Sequence, residues 1–399
     1  MYPPRDNQDD CMINKLMTLY KSVMSMAKST FEIMLIVVIS LIMIELLSKF
    51  VYVAYKYKYP NYRYYDNSWP GFEPREYEKE ILSTTLVWNS YVYWRHKSFS
   101  GKFINIDDNG IRKTWNNPAA TKEKLLRIFM FGGSTMWGSG ARDDFTIPSF
   151  VSKVISKDLD MQVNITNFGQ SGYVSTQEIL TLQNELKSGN IPDAVIFYDG
   201  FNDVFSAYQN NKAGLPQNEF NRKMEFNAFR SENRRRLYKN YLATLVTYSK
   251  TFFLIDHLLG KLNSNSNTLS ANKNIDSEKL SDEIVKTYAS NIRLVNALSK
   301  EYGFKTFYFW QPVIFMNKPL TDGEKILARK MDFCKELYVK SYGKIDTNFY
   351  KVNNFYNISD VFSNDTKSYY LDSCHLKESG NELVARKIVD IIKSNIAKD

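Results

Sequence analysis

The sequence predicts an α/β fold, a parallel β-sheet covered by helices, behind an N-terminal transmembrane helix. Three observations carry that prediction. Short apolar runs at 126–131, 163–166, 194–198 and 306–310 are each bounded by Gly, Pro, Asn or Asp, and short, mainly apolar runs of strand length look like strands buried on both faces. Segments of helical length at 147–159, 176–187 and 281–302 separate them, and a last one covers 378–396; a β-α-β-α order builds a parallel sheet. Residues 31–54 are almost wholly apolar, with Glu32, Glu45 and Lys49 as their charged side chains.

Taken in order, residues 1–30 form a short tail. At about 1.5 Å per residue the run 31–54 is long enough for a bilayer core of roughly 30 Å. A cleavable signal peptide fits poorly, because the run starts late, is too long for an h-region and has no small-x-small cleavage pattern behind it. Its orientation is left open by charge: Arg5, Lys15, Lys21 and Lys28 precede it, and Lys49, Lys56, Lys58 and Arg63 follow. Residues 55–124 read as a stalk and a cap. The stalk is tyrosine-rich over 52–65 and ends near Trp69-Pro70-Gly71; the cap carries the turn Asp107-Asp108-Asn109-Gly110 and no long period. Residues 125–399 form the α/β domain. An insertion at about 207–277 interrupts it, with the run Arg234-Arg235-Arg236 and an Asn/Ser-rich stretch at 263–274, and is expected to be partly helical and partly flexible.

Composition narrows the function. With 399 residues, 44% of them hydrophobic and 15% aromatic, the chain can bury a large core and is not a disordered polymer. The net charge of +9 comes from 52 basic and 43 acidic residues dispersed along the chain, not from a basic block, so nucleic acid is not an expected partner. Three cysteines, Cys11, Cys334 and Cys374, make neither a disulfide framework nor a zinc-ligand cluster. No metal and no cofactor are expected.

Four segments carry chemistry. Phe131-Gly132-Gly133-Ser134-Thr135 follows a predicted strand and precedes a helical segment. Ligands bind at the carboxyl ends of parallel strands, which is where this serine falls, and adjacent glycines allow a tight turn that exposes its hydroxyl. Gly-Gly-Ser is also an ordinary turn sequence. Asp372-Ser373-Cys374-His375 lies just before the last helix, and a serine needs such a base, itself oriented by a carboxylate. Of the other histidines, His96 falls in the cap and His257 among apolar residues of the insertion, where packing roles are expected. Asn167-Phe168-Gly169-Gln170-Ser171-Gly172 and Gly200-Phe201-Asn202-Asp203 follow the second and third strands, where the Gly169 N–H and the Asn202 amide can serve a developing oxyanion.

In this order the four segments resemble the sequence blocks of the SGNH/GDSL hydrolase family. Ser134 corresponds to the block-one serine, Gly169 to the block-two glycine, Asn202 to the asparagine of Gly-x-Asn-Asp, and Asp372 and His375 to Asp-x-x-His. The resemblance implies a three-layer α/β/α flavodoxin-like domain, ester hydrolysis through an acyl-serine, and an oxyanion hole of the Ser134 N–H, the Gly169 N–H and the Asn202 amide. The usual Gly-Asp-Ser reads Gly-Gly-Ser here, with Gly133 in the acidic position.

A membrane-anchored member of this family resembles enzymes acting on O-acetyl groups of cell-surface polysaccharides, with the catalytic domain outside the cytoplasm. Trp137, Tyr173, Phe201 and Trp310 are candidates to stack on sugar faces, and equally candidates for core packing. Arg234 to Arg236 could meet an anionic glycan or form a solvated helix face. Three functions stay open: an acyl-ester hydrolase, an acyltransferase using the same triad, and a catalytically silent glycan-binding or scaffold protein. Lipid and thioester substrates are open as well, and Cys374 is expected to be a packed thiol.

Overall fold

The apolar periodicities above become two compact units in a computed structural model. It describes residues 7–58, 74–117, 125–159, 162–230, 238–239, 241–242, 249–252, 254–255, 275–316, 318–349 and 352–396. One unit joins Met1–Asn61 to Asn227–Ser270; the other joins Tyr62–Phe226 to Ala271–Asp399. The expected stalk end at Trp69 to Gly71, the arginine run 234–236, His257 and the Asn/Ser-rich stretch 263–274 lie outside the described residues.

The first unit is dominated by α1 (Asn7–Lys58). Its stretch Asn14–Ala54 is long and apolar enough to cross a membrane, by features that a signal sequence shares. Apolar side chains along it are exposed, among them Leu35, Ile36, Val37 and Val38.

The second unit is built on five parallel strands. They are β5 (Leu125–Gly132), β6 (Gln162–Asn167), β7 (Ala194–Asp199), β8 (Lys305–Trp310) and β9 (Phe355–Asn357), ordered β6-β5-β7-β8-β9. Counted from β5 the order is 2-1-3-4-5, the flavodoxin-like doubly wound arrangement. Alternate residues of a strand face opposite ways, and β5 uses both sets. Leu126, Ile128 and Met130 pack in one apolar layer with Val151 and Ile155 of α4 (Ile147–Asp158) and Val384 and Ile388 of α11 (Glu378–Ile396). Phe129 and Phe131 join the other layer, with Ile179 and Leu182 of α5 (Ser175–Lys187), Ile292 of α8 (Ser277–Tyr302) and Leu337 and Ile345 of α10 (Lys335–Phe349). Burying each such side chain is worth roughly 1.5–3 kcal/mol. All of β7 is buried, as its central place requires.

Local signals set most boundaries. Thr146 caps α4 by accepting from the Ser149 N–H, with Pro148 in the first turn. Helix α8 starts at Ser277, earlier than the expected 281, because the Asp276 carboxylate accepts from the Glu278 and Lys279 N–H groups. Strand β9 is three half-buried residues, too short to show a period.

The cap has more regular structure than its sequence suggests. Helix α2 (Pro74–Ser83) precedes the antiparallel pair β1 (Leu86–Asn89) and β2 (Tyr93–His96), and a short pair, β3 (Phe99–Ser100) with β4 (Asn105–Ile106), follows. The β1–β2 connection holds Tyr91 at φ 69° and β2 opens on Tyr93 at φ 73°, backbone values that Gly or Asn usually announces. Arg112 then bridges Asn167 at the end of β6. This cap residue therefore enters the region of the candidate site.

Candidate active site

The strand order reverses at β5, between β6 and β7, and ligands of doubly wound sheets bind at the carboxyl ends of the strands beside such a point. Ser134 directly follows β5 and Asn202 follows β7. The serine opens the four-residue helix α3 (Ser134–Trp137), entered through extended Gly133 and left through Gly138 at φ 97°. A side chain at 133 would meet the Asn202 amide nitrogen at 1.9 Å. The missing acidic residue thus has a steric reason: only glycine leaves Asn202 its place beside Ser134.

His375 reaches this point from the far end of the chain. Its Nε2 lies 2.7 Å from the Ser134 Oγ, and its Nδ1 lies 2.7 Å from Asp372 Oδ2. The other oxygen, Asp372 Oδ1, accepts from the backbone N–H groups of Cys374 at 2.9 Å and His375 at 2.8 Å. Burial alone would raise the Asp372 carboxyl, but the His375 charge and these donors hold it down at about 2. In His375 burial pulls the other way, and the Asp372 charge and hydrogen bond outweigh it, leaving the imidazole above its ordinary value. The result is an ionised carboxylate, an oriented imidazole of strengthened basicity and a hydroxyl in line.

Cys374 is buried, and desolvation with the Asp372 charge pushes its thiol well above the ordinary range. Ligand-type atoms of Asp372, Cys374 and His375 lie within 4.8 Å of one another. The carboxylate is nevertheless committed to the imidazole and two N–H groups, and the thiol favours its protonated form, so the donor set suits proton transfer better than metal binding.

The expected oxyanion donors need one correction. Gly169 is close to the nucleophile helix, but its N–H donates to Asn167 Oδ1 at 2.9 Å. A side chain there would meet the Trp137 nitrogen at 2.3 Å, so this glycine serves close packing. Gly172, in the left-handed region at φ 75°, lies beside the Gln217 side chain. Gln217 in turn donates to Asn202 Oδ1 at 3.1 Å, which leaves the Asn202 NH2 group on the Gly133 side. Among the described residues neither the Ser134 nor the Gly172 N–H has a hydrogen-bond partner.

Three aromatic candidates for sugar stacking are corrected too. Trp137, Tyr173 and Trp310 are each at most 1% exposed. Trp137 stacks on His96, whose ring bonds Gln170, Tyr173 donates its hydroxyl to the Trp94 carbonyl, and Trp310 packs on Tyr288. Phe201 is half-buried against Phe205 and Tyr338.

The residue that sequence reasoning missed altogether is Arg112. Fully buried, it donates to the carbonyls of Trp137 at 3.2 Å, Gly138 at 2.7 Å and Ala141 at 2.6 Å, and to Asp143 Oδ1 at 2.9 Å. Its guanidinium also lies 4.4 Å from the Trp137 ring. It holds the loop that follows the nucleophile. A second link, Arg142 to Glu378 through both carboxylate oxygens, ties this loop to the start of α11. Below Asn202, burial raises the Asp203 carboxyl to about 6 even though it accepts from Ser175. A cleft of about 490 Å³ lined by Phe99, Asn105, Arg112 and Ile165 contains none of the triad side chains.

No protein-family model matches the sequence, and no curated protein matches it. Among solved structures, the chain is similar to the acetyl xylan esterase AlAXEase at 13% identity and a TM-score of 0.36, over 67% of this chain and 100% of that one. It is similar to a member of the lipolytic G-D-S-L family from Veillonella parvula at 12% identity and a TM-score of 0.37, over 68% of this chain and 99% of the other. A catalytic mutant of Axe2, an acetylxylan esterase from Geobacillus stearothermophilus, aligns at 12% identity and a TM-score of 0.34, over 67% of this chain and 94% of its own.

Proposed function

We propose that the chain is a serine-dependent acyl-ester hydrolase, held at a membrane by α1. One observation carries the reading: an unbroken chain of short contacts from Asp372 through His375 to Ser134 at the carboxyl edge of the sheet. Ser134 Oγ attacks the ester carbonyl as His375 Nε2 takes its proton, and Asp372 stabilises the imidazolium. The oxyanion is held by the Ser134 N–H, the Asn202 amide and the Gly172 N–H, the last in place of Gly169. His375 then returns the proton to the leaving alcohol, which departs and leaves an acyl-Ser134. Water, deprotonated by His375, attacks that ester and releases the acid.

O-acetyl groups on polysaccharide outside the cytoplasm are the first substrates to try, on the strength of the sequence blocks. The test is hydrolysis of a small acetyl ester by the full chain in detergent, native against Ser134→Ala. The expected outcome is clear native turnover and a loss of about 10⁴-fold or more in the variant. A folded native protein that releases no acid, yet acetylates an added oligosaccharide, would replace hydrolysis by transfer; silence in both assays would overturn the enzymatic reading.

A further inference from the structure

In the unit formed by α1 and part of the insertion, Glu45 is out of place. It lies in the apolar run 31–54, nine residues before Ala54, about 14 Å along the helix from that end. A carboxylate at such a depth in a bilayer is expensive unless it finds donors. Glu45 has four. Its oxygens accept from Ser249 Oγ at 2.7 Å, the Lys250 N–H at 2.6 Å, the Thr251 N–H at 3.2 Å and Thr251 Oγ1 at 2.8 Å.

These donors are the start of another helical segment. Ser249 caps it by accepting from the Phe252 N–H, and Lys250 is its first helical residue. The opening N–H groups of a helix have no partner inside it, and here they close on Glu45. Two more contacts seat the segment along α1. Thr251 Oγ1 lies 2.9 Å from Ser48 Oγ, and the Lys250 ammonium lies 4.8 Å from the Tyr52 ring, two turns nearer the helix end. Phe252 and Ile255 remain about half exposed, as do Leu41, Ile42 and Leu46 of α1.

We propose that the insertion returns a second element to the same bilayer, with Ser249 to Ile255 docked on α1 through Glu45 and with Phe252 and Ile255 facing lipid acyl chains. The proposal rests on the reading of α1 as a membrane helix. Its physical content is mutual satisfaction: in hydrocarbon both a carboxylate and a bare helix start are costly, and each supplies what the other lacks. Water would satisfy both without any docking. Lipid is the occupant because the height of the segment is set by Glu45, inside a run whose own side chains are exposed and apolar. Lys250, extended toward Tyr52 and the end of the run, behaves as a snorkelling cation does.

The test uses the full chain in phosphatidylcholine vesicles with brominated acyl chains. With Cys11→Ser, and Cys334 and Cys374 buried, an environment-sensitive dye is placed at Ile255→Cys or, as a reference, at Leu41→Cys. Quenching of both labels is expected, together with a disulfide between Ser48→Cys and Thr251→Cys after mild oxidation. Adding Glu45→Ala should lower the disulfide yield and the quenching at 255 while leaving that at 41. A quenched label at 41 with an unquenched one at 255 overturns this proposal and keeps the anchor; two unquenched labels overturn both. Quenching and a disulfide that survive Glu45→Ala unchanged overturn the role given to Glu45.

Discussion

Between residues 370 and 376 the chain closes on itself: the Leu371 N–H donates to the His375 carbonyl, Tyr370 bridges Leu376, and Asp372 accepts from Cys374 and His375. Around Ser134 almost nothing is local. The loop after α3 is held by Arg112 from the cap, α3 packs against Gly169 after β6, and Asn202 after β7 fills the space that Gly133 leaves. The His375 half of the site is thus shaped mainly by its own turn, with the Ile314 N–H on the Ser373 carbonyl and Glu324 on the Tyr370 N–H as outside supports, and the Ser134 half is a meeting point of remote segments. Arg142 and Glu378, 236 residues apart, join the two.

The sharpest cut in the His375 half is Asp372→Asn, which should lower kcat by about 10⁴. The same variant tests the electrostatics. The proposed mechanism needs neutral His375, so activity should rise with pH through a pKa above the ordinary imidazole value; without the Asp372 charge, burial is left to lower that pKa and the residual rising limb should shift to lower pH. An unshifted limb would mean that another group titrates.

In the Ser134 half, Asn202→Ala removes one oxyanion donor and should cost about 10²- to 10³-fold in kcat. A change confined to KM would place Asn202 in ground-state binding instead. Arg112→Met tests whether remote support matters. Leaving Asp143 buried without its partner should cost about 3–5 kcal/mol of stability, read by chemical denaturation, with lost activity in the folded fraction. Full activity in that fraction would show that the loop keeps its shape unaided. The smallest effect is expected from Cys374→Ser: the thiol packs beside the histidine without serving it, so kcat should stay near the native value. A large loss would give the thiol a part in the chemistry.

The same contrast governs what could be read before any fold was known. Four of the five strands, the helices near 147–159, 176–187, 281–302 and 378–396 and the Asp-x-x-His pair were legible, and α10 (Lys335–Phe349) was not: burial writes a period into neighbouring residues, and a carboxylate three positions from an imidazole needs only a turn. Ser134 and Asn202 were legible through the glycines and strand ends around them. Arg112, Gln217 and the engaged N–H of Gly169 were not. Whether an N–H is free to meet an oxyanion depends on whether Asn167 has already taken it, and whether an arginine is a surface charge or a buttress depends on which carbonyls the folded cap brings to it. Neither leaves a periodic trace. Nor could spacing foresee that Trp137, Tyr173 and Trp310 would be enclosed, since an aromatic ring bears the same pattern in a core as on a binding face. Long-range packing decided these points, because each depends on partners that only the folded sheet and its cap bring within reach.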